Sequence, residues 1–204
     1  MVPPGATLSH RYAVCVDDEL EIEIRPLGPG RAPEFLQFLG GEAFADNPKW
    51  ANCFCYFPHG DHAGKKFDVN AGDANRAAAA AMVERGEMRG YLAYVAGRPV
   101  AWCNANLLDD YTIFDNEGAA PGTVGAIGCF VVVERFRRKG IAGRLLDAAL
   151  EGFRAEGVNE VLAFPRPEAD SEADNHLGPV GLYLAAGFEE AGREGSSLKL
   201  RKRL

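Results

Sequence analysis

The chain has 204 residues, 47% of them apolar and 25% charged, with a net charge of −7 at neutral pH. That length accommodates one domain with a substantial core, and the negative balance argues against nonspecific nucleic-acid binding. No apolar run approaches the roughly 20 residues that span a bilayer, so no membrane partner is expected.

Residues 1–18 contain Pro and Gly without pattern and read as a loose N-terminal extension to a single domain over 19–204. Their opening, MVPPGATLSHRYAV, lacks the basic-then-apolar layout of an export signal, so a cytoplasmic protein is expected. ELEIEIRPL (19–27) alternates charged with apolar residues, the period of a half-exposed strand that stops at Pro26. GPGRAPEFLQFLGG (28–41) predicts a short helix around Phe35, Leu36 and Leu39, closed by paired glycines. Residues 42–72 form a long loop or broken helical region that carries Pro48, Trp50 and Pro58.

That loop also holds most of the unusual side chains. The spacing C-x-C-x3-H-x2-H sets Cys53, Cys55, His59 and His62 within ten residues, four ligands of the kind that surround zinc. C-x-C pinches the usual ligand spacing, however, and Phe54, Tyr56 and Phe57 interleave, so an aromatic loop over a cleft is the reading and no metal is expected. The five cysteines, lacking an export signal, do not suggest a disulfide framework; Cys15, Cys103 and Cys129 read as buried thiols.

DANRAAAAAMVERGE (73–87) is a helix by alanine content, with Asp73 as its N-cap and Gly86 near its end. GYLAYVAGRPVAWCNANL (90–107) predicts two strands joined by a tight turn at Ala96-Gly97-Arg98-Pro99. After an acidic loop (108–122), TVGAIGCFVVV (123–133) reads as a strand buried on both faces. From Gly140 to about Glu156, Ile141, Leu145, Leu146, Ala149, Leu150 and Phe153 share one helix face. VNEVLAFPR (158–166) is a further strand, GPVGLYLAAG (178–187) a short helix, and 188–192 with 197–204 an antiparallel pair. A tight hairpin near 97 and a strand–helix–strand crossover over 123–166 together require a mixed sheet. The expected class is α+β, an α/β sandwich with a mostly antiparallel central sheet flanked by helices.

The chemistry concentrates in VVVERFRRKGIAGRLL (131–146). An apolar run breaks into a basic turn that opens a helix, whose first amides have no intrahelical partner and whose dipole is positive. Arg137, Arg138 and Lys139 add full charge, and Gly140, Ile141, Ala142 and Gly143 let a ligand approach the backbone. This reads as a pyrophosphate cradle.

The segment R137-R138-K139-G140-I141-A142 resembles the R/Q-x-x-G-x-G/A motif of the GNAT superfamily of N-acetyltransferases, and it sits between the expected strand and helix. Forty residues on, Y183-L184-A185-A186-G187-F188 resembles the Y-x-x-x-G-F signature of the same superfamily. The resemblance covers roughly residues 20–204 in element order, which implies a GNAT-like acyl-CoA N-acyltransferase fold. It implies acetyl-CoA as co-substrate, its phosphates on the amides of Arg138 through Gly143 and its pantetheine arm along the backbone of Phe130, Val131 and Val132. The implied reaction moves the acetyl group to a primary amine of a small molecule or a protein, by direct attack in a ternary complex, with a thioester oxyanion held by a strand amide. Tyr183 would donate a proton to the leaving CoA thiolate, or else pack on the cofactor. A covalent relay through Cys129 is the less favoured route.

No Glu, Asp or His lies in the middle of strand 123–133 to serve as general base. Glu134 adjoins the phosphate turn and is expected to face solvent or pair with an arginine. Asp109 and Asp110 read as a solvated loop before an acceptor site, and Asn104 and Asn106 as an exposed strand face before a pair that orients water or an acyl carbonyl. The superfamily often places Asn seven residues before the motif tyrosine, where this chain has His176, with Asn175 beside it; neither is assigned. Trp50, Phe54, Tyr56, Phe57, His59 and His62 either line an acceptor pocket or form a satellite core. The alternative function is a catalytically weak acyl-CoA-binding or regulatory module, and a monomer or homodimer fits either reading.

Overall fold

The computed structural model describes residues 20–60, 68, 70–168 and 174–204. The N-terminal extension, Cys15 and His62 therefore lie outside the described residues. Strands β1 (Ile22–Pro26), β2 (Gly90–Val95), β3 (Arg98–Leu107), β4 (Val124–Val132), β5 (Glu160–Ala163), β6 (Glu189–Glu194) and β7 (Ser197–Arg203) form one sheet, in the order β1-β2-β3-β4-β5-β7-β6. The pairing of β4 with β5 is parallel, and the other pairings among the described residues are antiparallel. The helices are α1 (Ala32–Leu39), α2 (Gly72–Arg85), α3 (Ile141–Ala155) and α4 (Val180–Ala185). The mixed, mostly antiparallel sheet read from the sequence is what the chain forms. No helix among the described residues is long and apolar enough to cross a membrane.

Two apolar layers sandwich the sheet. On one face α3 buries the six residues expected of it, against Ala93, Ala101, Cys103, Ile127 and Val161. On the other, Phe35, Leu36, Phe38 and Leu39 of α1 and Ala79 and Val83 of α2 pack on Leu92, Tyr94, Trp102 and Val131. Alternation along β2 and β3 assigns side chains to these layers, as the period of a strand requires.

The elements differ from expectation mainly at their ends. The hairpin turns on Ala96 and Gly97 alone, with φ of 49° and 73°, a pair of positive values that suits a two-residue turn; Arg98 and Pro99 already belong to β3. Ala71, not Asp73, is the N-cap of α2, and Asp73 lies in its first turn, where its charge still favours the dipole. β5 is shorter than predicted because the chain leaves the sheet at Phe164 and Pro165, and it pairs on its far side with β7.

What positions the site is a break in β4. Asn104 faces Cys129 across the β3–β4 ladder, but Ala105 faces Ile127, so Gly128 is an extra residue, a β-bulge. The bulge shifts the phase of the strand. Ile127 and Phe130, three residues apart, both face α3, while Cys129 and Val131 face α1 and α2. On its other edge β4 pairs with β5 only through Ile127, opposite Ala163, and beyond that point the two strands part.

Gly128 is required by its neighbour, since a Cβ there would lie 2.5 Å from a ring carbon of Tyr111. Gly128→Ala is therefore expected to cost about 1–3 kcal/mol by overpacking. Gly181→Ala, within α4 and with open space around it, is expected to gain about 0.5–1 kcal/mol. Urea unfolding of both variants checks this; a neutral Gly128→Ala would mean that the tyrosine does not fix the bulge.

Candidate active site

A cavity of about 480 Å³ opens along the parted edge of β4. Its floor is Gly128, Cys129, Phe130, Val131 and Val132, and one end is the turn that carries Arg137, Arg138, Gly140, Ile141, Ala142 and Gly143. The loop after α1 forms the opposite wall with Asp46, Trp50, Cys53, Cys55, Phe57 and Pro58, and Asn175, His176 and Gly178 complete it. Nine of the eleven site residues read from the sequence line this cavity; Lys139, exposed in the turn, and Tyr183 do not.

The turn fits an anion. Gly140, with φ of 76°, stands at the N-cap of α3, and no side chain caps the helix. The first helical bond runs from the Arg144 N–H to the Gly140 carbonyl, so the N–H groups of Ile141, Ala142 and Gly143 precede the ladder. A Cβ on Gly143 would meet nothing within 4 Å, so that side of the first turn is open for a bulky group. Arg137 is tethered: its Nε–H donates to the Val132 carbonyl at 3.0 Å, and its guanidinium pairs with Asp46 at 2.6 Å. With the Arg135–Glu42 ion pair, this ties the loop after α1 to the turn after β4 and fixes the width of the cavity.

Tyr183 does not reach the cavity. Its ring is fully buried between Phe130 and Phe188, and its hydroxyl donates to the Leu177 carbonyl at 2.6 Å. Gly178, with φ of 84°, folds the chain over that hydroxyl, and a Cβ there would come within 2.9 Å of it. Burial pushes the phenol well above its usual range. In this structure the hydroxyl of the tyrosine that the resemblance singles out is engaged by the Leu177 carbonyl, next to Gly178 and Pro179 of the cavity wall.

A profile of the acetyltransferase (GNAT) family matches residues 49–188. The chain belongs to the GNAT acetyltransferase family. No curated protein matches the sequence. Among solved structures, an aminoglycoside acetyltransferase in complex with coenzyme A superposes at a TM-score of 0.56 with 14% identity, over 90% of this chain and 95% of that one. The PaiA N-acetyltransferase from Thermoplasma acidophilum, also with coenzyme A, gives 0.54 and 13%, over 91% of this chain and 100% of that one. A ribosomal-protein-alanine N-acetyltransferase from Brucella melitensis gives 0.53 and 17%, over 89% and 99%. These likenesses show a shared fold, and the family membership makes this chain an acyltransferase.

At the bulge end, this GNAT chain carries a buried polar network that its sequence did not announce. Asn104 and Asn106 are 0% exposed, not an outer strand face. The Asp110 backbone carbonyl can only accept, so His59 Nδ1, 2.8 Å away, carries the hydrogen and Nε2 is left as acceptor. Nε2 receives the amides of Asn104 at 2.9 Å and Asn106 at 3.3 Å, and Tyr111 donates its hydroxyl to Asn104 Oδ1 at 2.9 Å. Asn104 Nδ2 also donates to Cys55 Sγ, at 3.2 Å. The signal was there in β3, a strand covered on both faces: a polar side chain in such a strand must find partners inside. Asp109 and Asp110 stay off the cavity, the Asp109 carboxylate accepting from the Gly122 N–H, and Glu134 is exposed as expected. The aromatic loop divides between both readings: Phe54 joins the core, whereas Trp50 and Phe57 face the cavity. Among the described residues no cluster of ligands could hold a metal, and His59, spent on Asp110 and the two asparagines, is not available to one.

Burial holds His59 below its ordinary value, and a proton on Nε2 would face the amide hydrogens of Asn104 and Asn106. The folded state thus binds this proton less readily than the unfolded chain. Its stabilising contribution is full above about pH 6.5 and is lost as pH falls from there through the lower folded value. Thermal unfolding from pH 7 to 5 should show a fall in Tm that is smaller in His59→Gln; equal falls in both proteins would mean that His59 does not carry it.

Proposed function

We propose that the chain is an N-acetyltransferase that moves the acetyl group of acetyl-CoA to a primary amine of a small molecule or a peptide. The observation that carries this reading is the continuity of the cavity. An uncapped helix N-terminus with open space at Gly143 leads directly into the parted edge of β4 and ends at the bulge.

In this proposal the amides of Ile141, Ala142 and Gly143, reached across Gly140, take the pyrophosphate, because their hydrogens and the helix dipole point at it. Arg138 and Lys139 add charge at the tip. Arg137 contributes less directly, since it is committed to Asp46 and Val132. The backbone of Phe130, Val131 and Val132 pairs with the amides of the pantetheine arm in place of β5, which brings the thioester to Gly128 and Cys129. There a strand N–H is the donor for the oxyanion of a tetrahedral intermediate. Tyr183 enters as a positioning residue that supports the Leu177–Gly178 wall. Names of similar proteins support an amine acceptor, an aminoglycoside in one case and ribosomal-protein alanine in another.

Direct attack in a ternary complex, the route implied by the resemblance, needs a proton acceptor near the thioester. Asp46 is the one carboxylate on the described wall, and it is locked to Arg137. That observation favours a second reading, an acyl-CoA-binding module with little turnover. Release of free CoA from acetyl-CoA across an amine panel separates the two: turnover with any amine supports the enzyme, and binding without turnover supports the module.

The cradle itself has a sharper test in Gly143→Asp. At Gly140 any side chain meets a strained φ, but Gly143 is helical and open, and an acidic residue in the first turn favours the helix. The variant should keep or raise its Tm while its affinity for CoA falls roughly 100-fold, about 2.7 kcal/mol. Calorimetric titration with CoA measures this, and unchanged affinity would contradict the pyrophosphate assignment.

A further inference from the structure

The last residue of β4 on the cavity wall is Gly128, and its neighbour Ile127 is the last to pair with β5. The fork where the two strands part is filled by rings. Tyr111, Phe114 and Phe164, the residue at which the chain leaves β5, share one buried cluster with Ala126, Leu162 and Leu177. Phe114 stacks on Phe164 with centroids 4.2 Å apart, and Tyr111 meets Phe114 edge to face at 5.2 Å. Tyr111 also stacks on His59 at 4.8 Å. The rings form a column from the loop over the cavity to the end of β5.

Within that column Tyr111 is packed directly on the bulge. A Cβ on Gly128 would lie 2.5 Å from Tyr111 Cε1 and 2.8 Å from its hydroxyl oxygen, so only the absence of a side chain at Gly128 lets the ring come so close. The ring is also held in place. Its hydroxyl donates to Asn104 Oδ1 at 2.9 Å and stands 3.3 Å from the Ala126 carbonyl, and the residue is 3% exposed. His59 and Phe114 fix the body of the side chain while Asn104 and Ala126 fix its tip. Pushing it aside would strip a buried oxygen of its donor and disturb a close-packed cluster, and both are costly.

The line of β4 leads from the phosphate turn to this ring. The turn begins after Val132, and Gly128 lies four residues back along the strand, ~13 Å at the usual rise. Ala126 lies two residues further in the same direction, with the Tyr111 hydroxyl against its carbonyl. From Val132 to Gly128 the strand borders the cavity; from Ile127 onward it is closed by β5 on its edge and by the ring column over Ala126.

We propose that Tyr111 sets the acyl length of the donor: acetyl is admitted, and butyryl and longer chains are excluded by its ring. A donor anchored at the α3 N-terminus and extended along the parted edge brings its thioester to Gly128 and Cys129, and its acyl chain continues towards Ala126. An acetyl group stops short of the Tyr111 ring, whereas each further methylene is driven into it. Selection by size needs a wall that does not reshape itself, and the ring column supplies one. Against such a wall one methylene too many discriminates roughly 10- to 200-fold. Tyr111 is thus a specificity-determining residue that acts on which donor is accepted and leaves the direct transfer to the amine as it is. This rests on the acyl-CoA reading of the cavity and adds the donor class to it.

The test needs no acceptor amine. Calorimetric titration of the full chain with CoA and with acetyl-, propionyl-, butyryl- and hexanoyl-CoA reads the acyl preference directly. Affinity for CoA itself, with Tm, shows that each variant is folded and its cradle intact. In the wild type, affinity should fall at least tenfold, to order of magnitude, from acetyl-CoA to butyryl-CoA. Tyr111→Leu and Tyr111→Met, which shorten the side chain, should bring butyryl-CoA to within about threefold of acetyl-CoA. Tyr111→Phe keeps the ring and should keep the wild-type preference, which separates the bulk of the ring from its hydrogen bond. Equal affinity of the wild type for acetyl- and hexanoyl-CoA overturns the proposal and leaves the acyl-CoA reading standing. So does an unchanged preference in a folded Tyr111→Leu or Tyr111→Met variant. Absence of binding of CoA and of every acyl-CoA by the wild type overturns both.

Discussion

The structure depends on β4 being two strands in one. Up to Ile127 it is an ordinary interior strand, paired on both edges. At Gly128 it takes in an extra residue, changes the phase of its side chains and loses β5 as a neighbour. A strand edge in the middle of a sheet presents N–H and C=O groups that must be satisfied by something, and here they border a cavity. The bulge also sets which side chains meet there. Phe130 turns to the α3 layer, over Tyr183, while Cys129 and Val131 turn to the α1 and α2 layer, beneath the loop that carries Cys53 and Cys55. Tyr111, packed where a Gly128 side chain would be, joins the bulge to the polar network.

That network gives the loop over the cavity its fixed place. His59 and Thr112 bind backbone carbonyls across the gap between the loop and the segment after β3, the Thr112 hydroxyl donating to Gly60 at 2.7 Å. Asn75 of α2 reaches back to the carbonyls of Asn52 and Asp68. Each bond contributes only about 1 kcal/mol net, but a buried group left without its partner costs more, so the members are hard to move singly. Two left-handed residues at Phe54 and Cys55 are tolerated because the segment is held at both ends. The cavity wall is therefore preorganised, and a polar network buried in β3 serves the site more than the sheet.

The sequence disclosed what is local and hid what is distant. The phosphate turn, the buried strand before it and the apolar face of α3 were readable because each depends on neighbours within a few residues: a glycine at the N-cap, a run of Val, a period of 3.6. The hairpin at Ala96-Gly97 was readable for the same reason. Tyr183 was found by its motif but not placed, since the partner of its hydroxyl is set by the Leu177–Gly178 turn, and φ at Gly178 does not follow from the residue alone. Cys55 looked like half of a pinched metal motif because its partners, Trp102 and Asn104, lie 47 and 49 residues away. Asn104 and Asn106 looked exposed because alternation cannot tell which polar face of a strand is covered. Asn175 and His176, left unassigned, both lie on the cavity wall.

The central claim is that the parted edge of β4 and the first turn of α3 form one binding surface for acyl-CoA. Amide hydrogen exchange of the full chain with and without CoA tests it most directly, because the claim concerns backbone N–H groups. The account predicts that CoA slows exchange in two stretches together, Gly128–Val132 and Gly140–Gly143, with little change in β1 and β6 at the sheet edges. Protection confined to other segments, or to the turn without the strand, would contradict it.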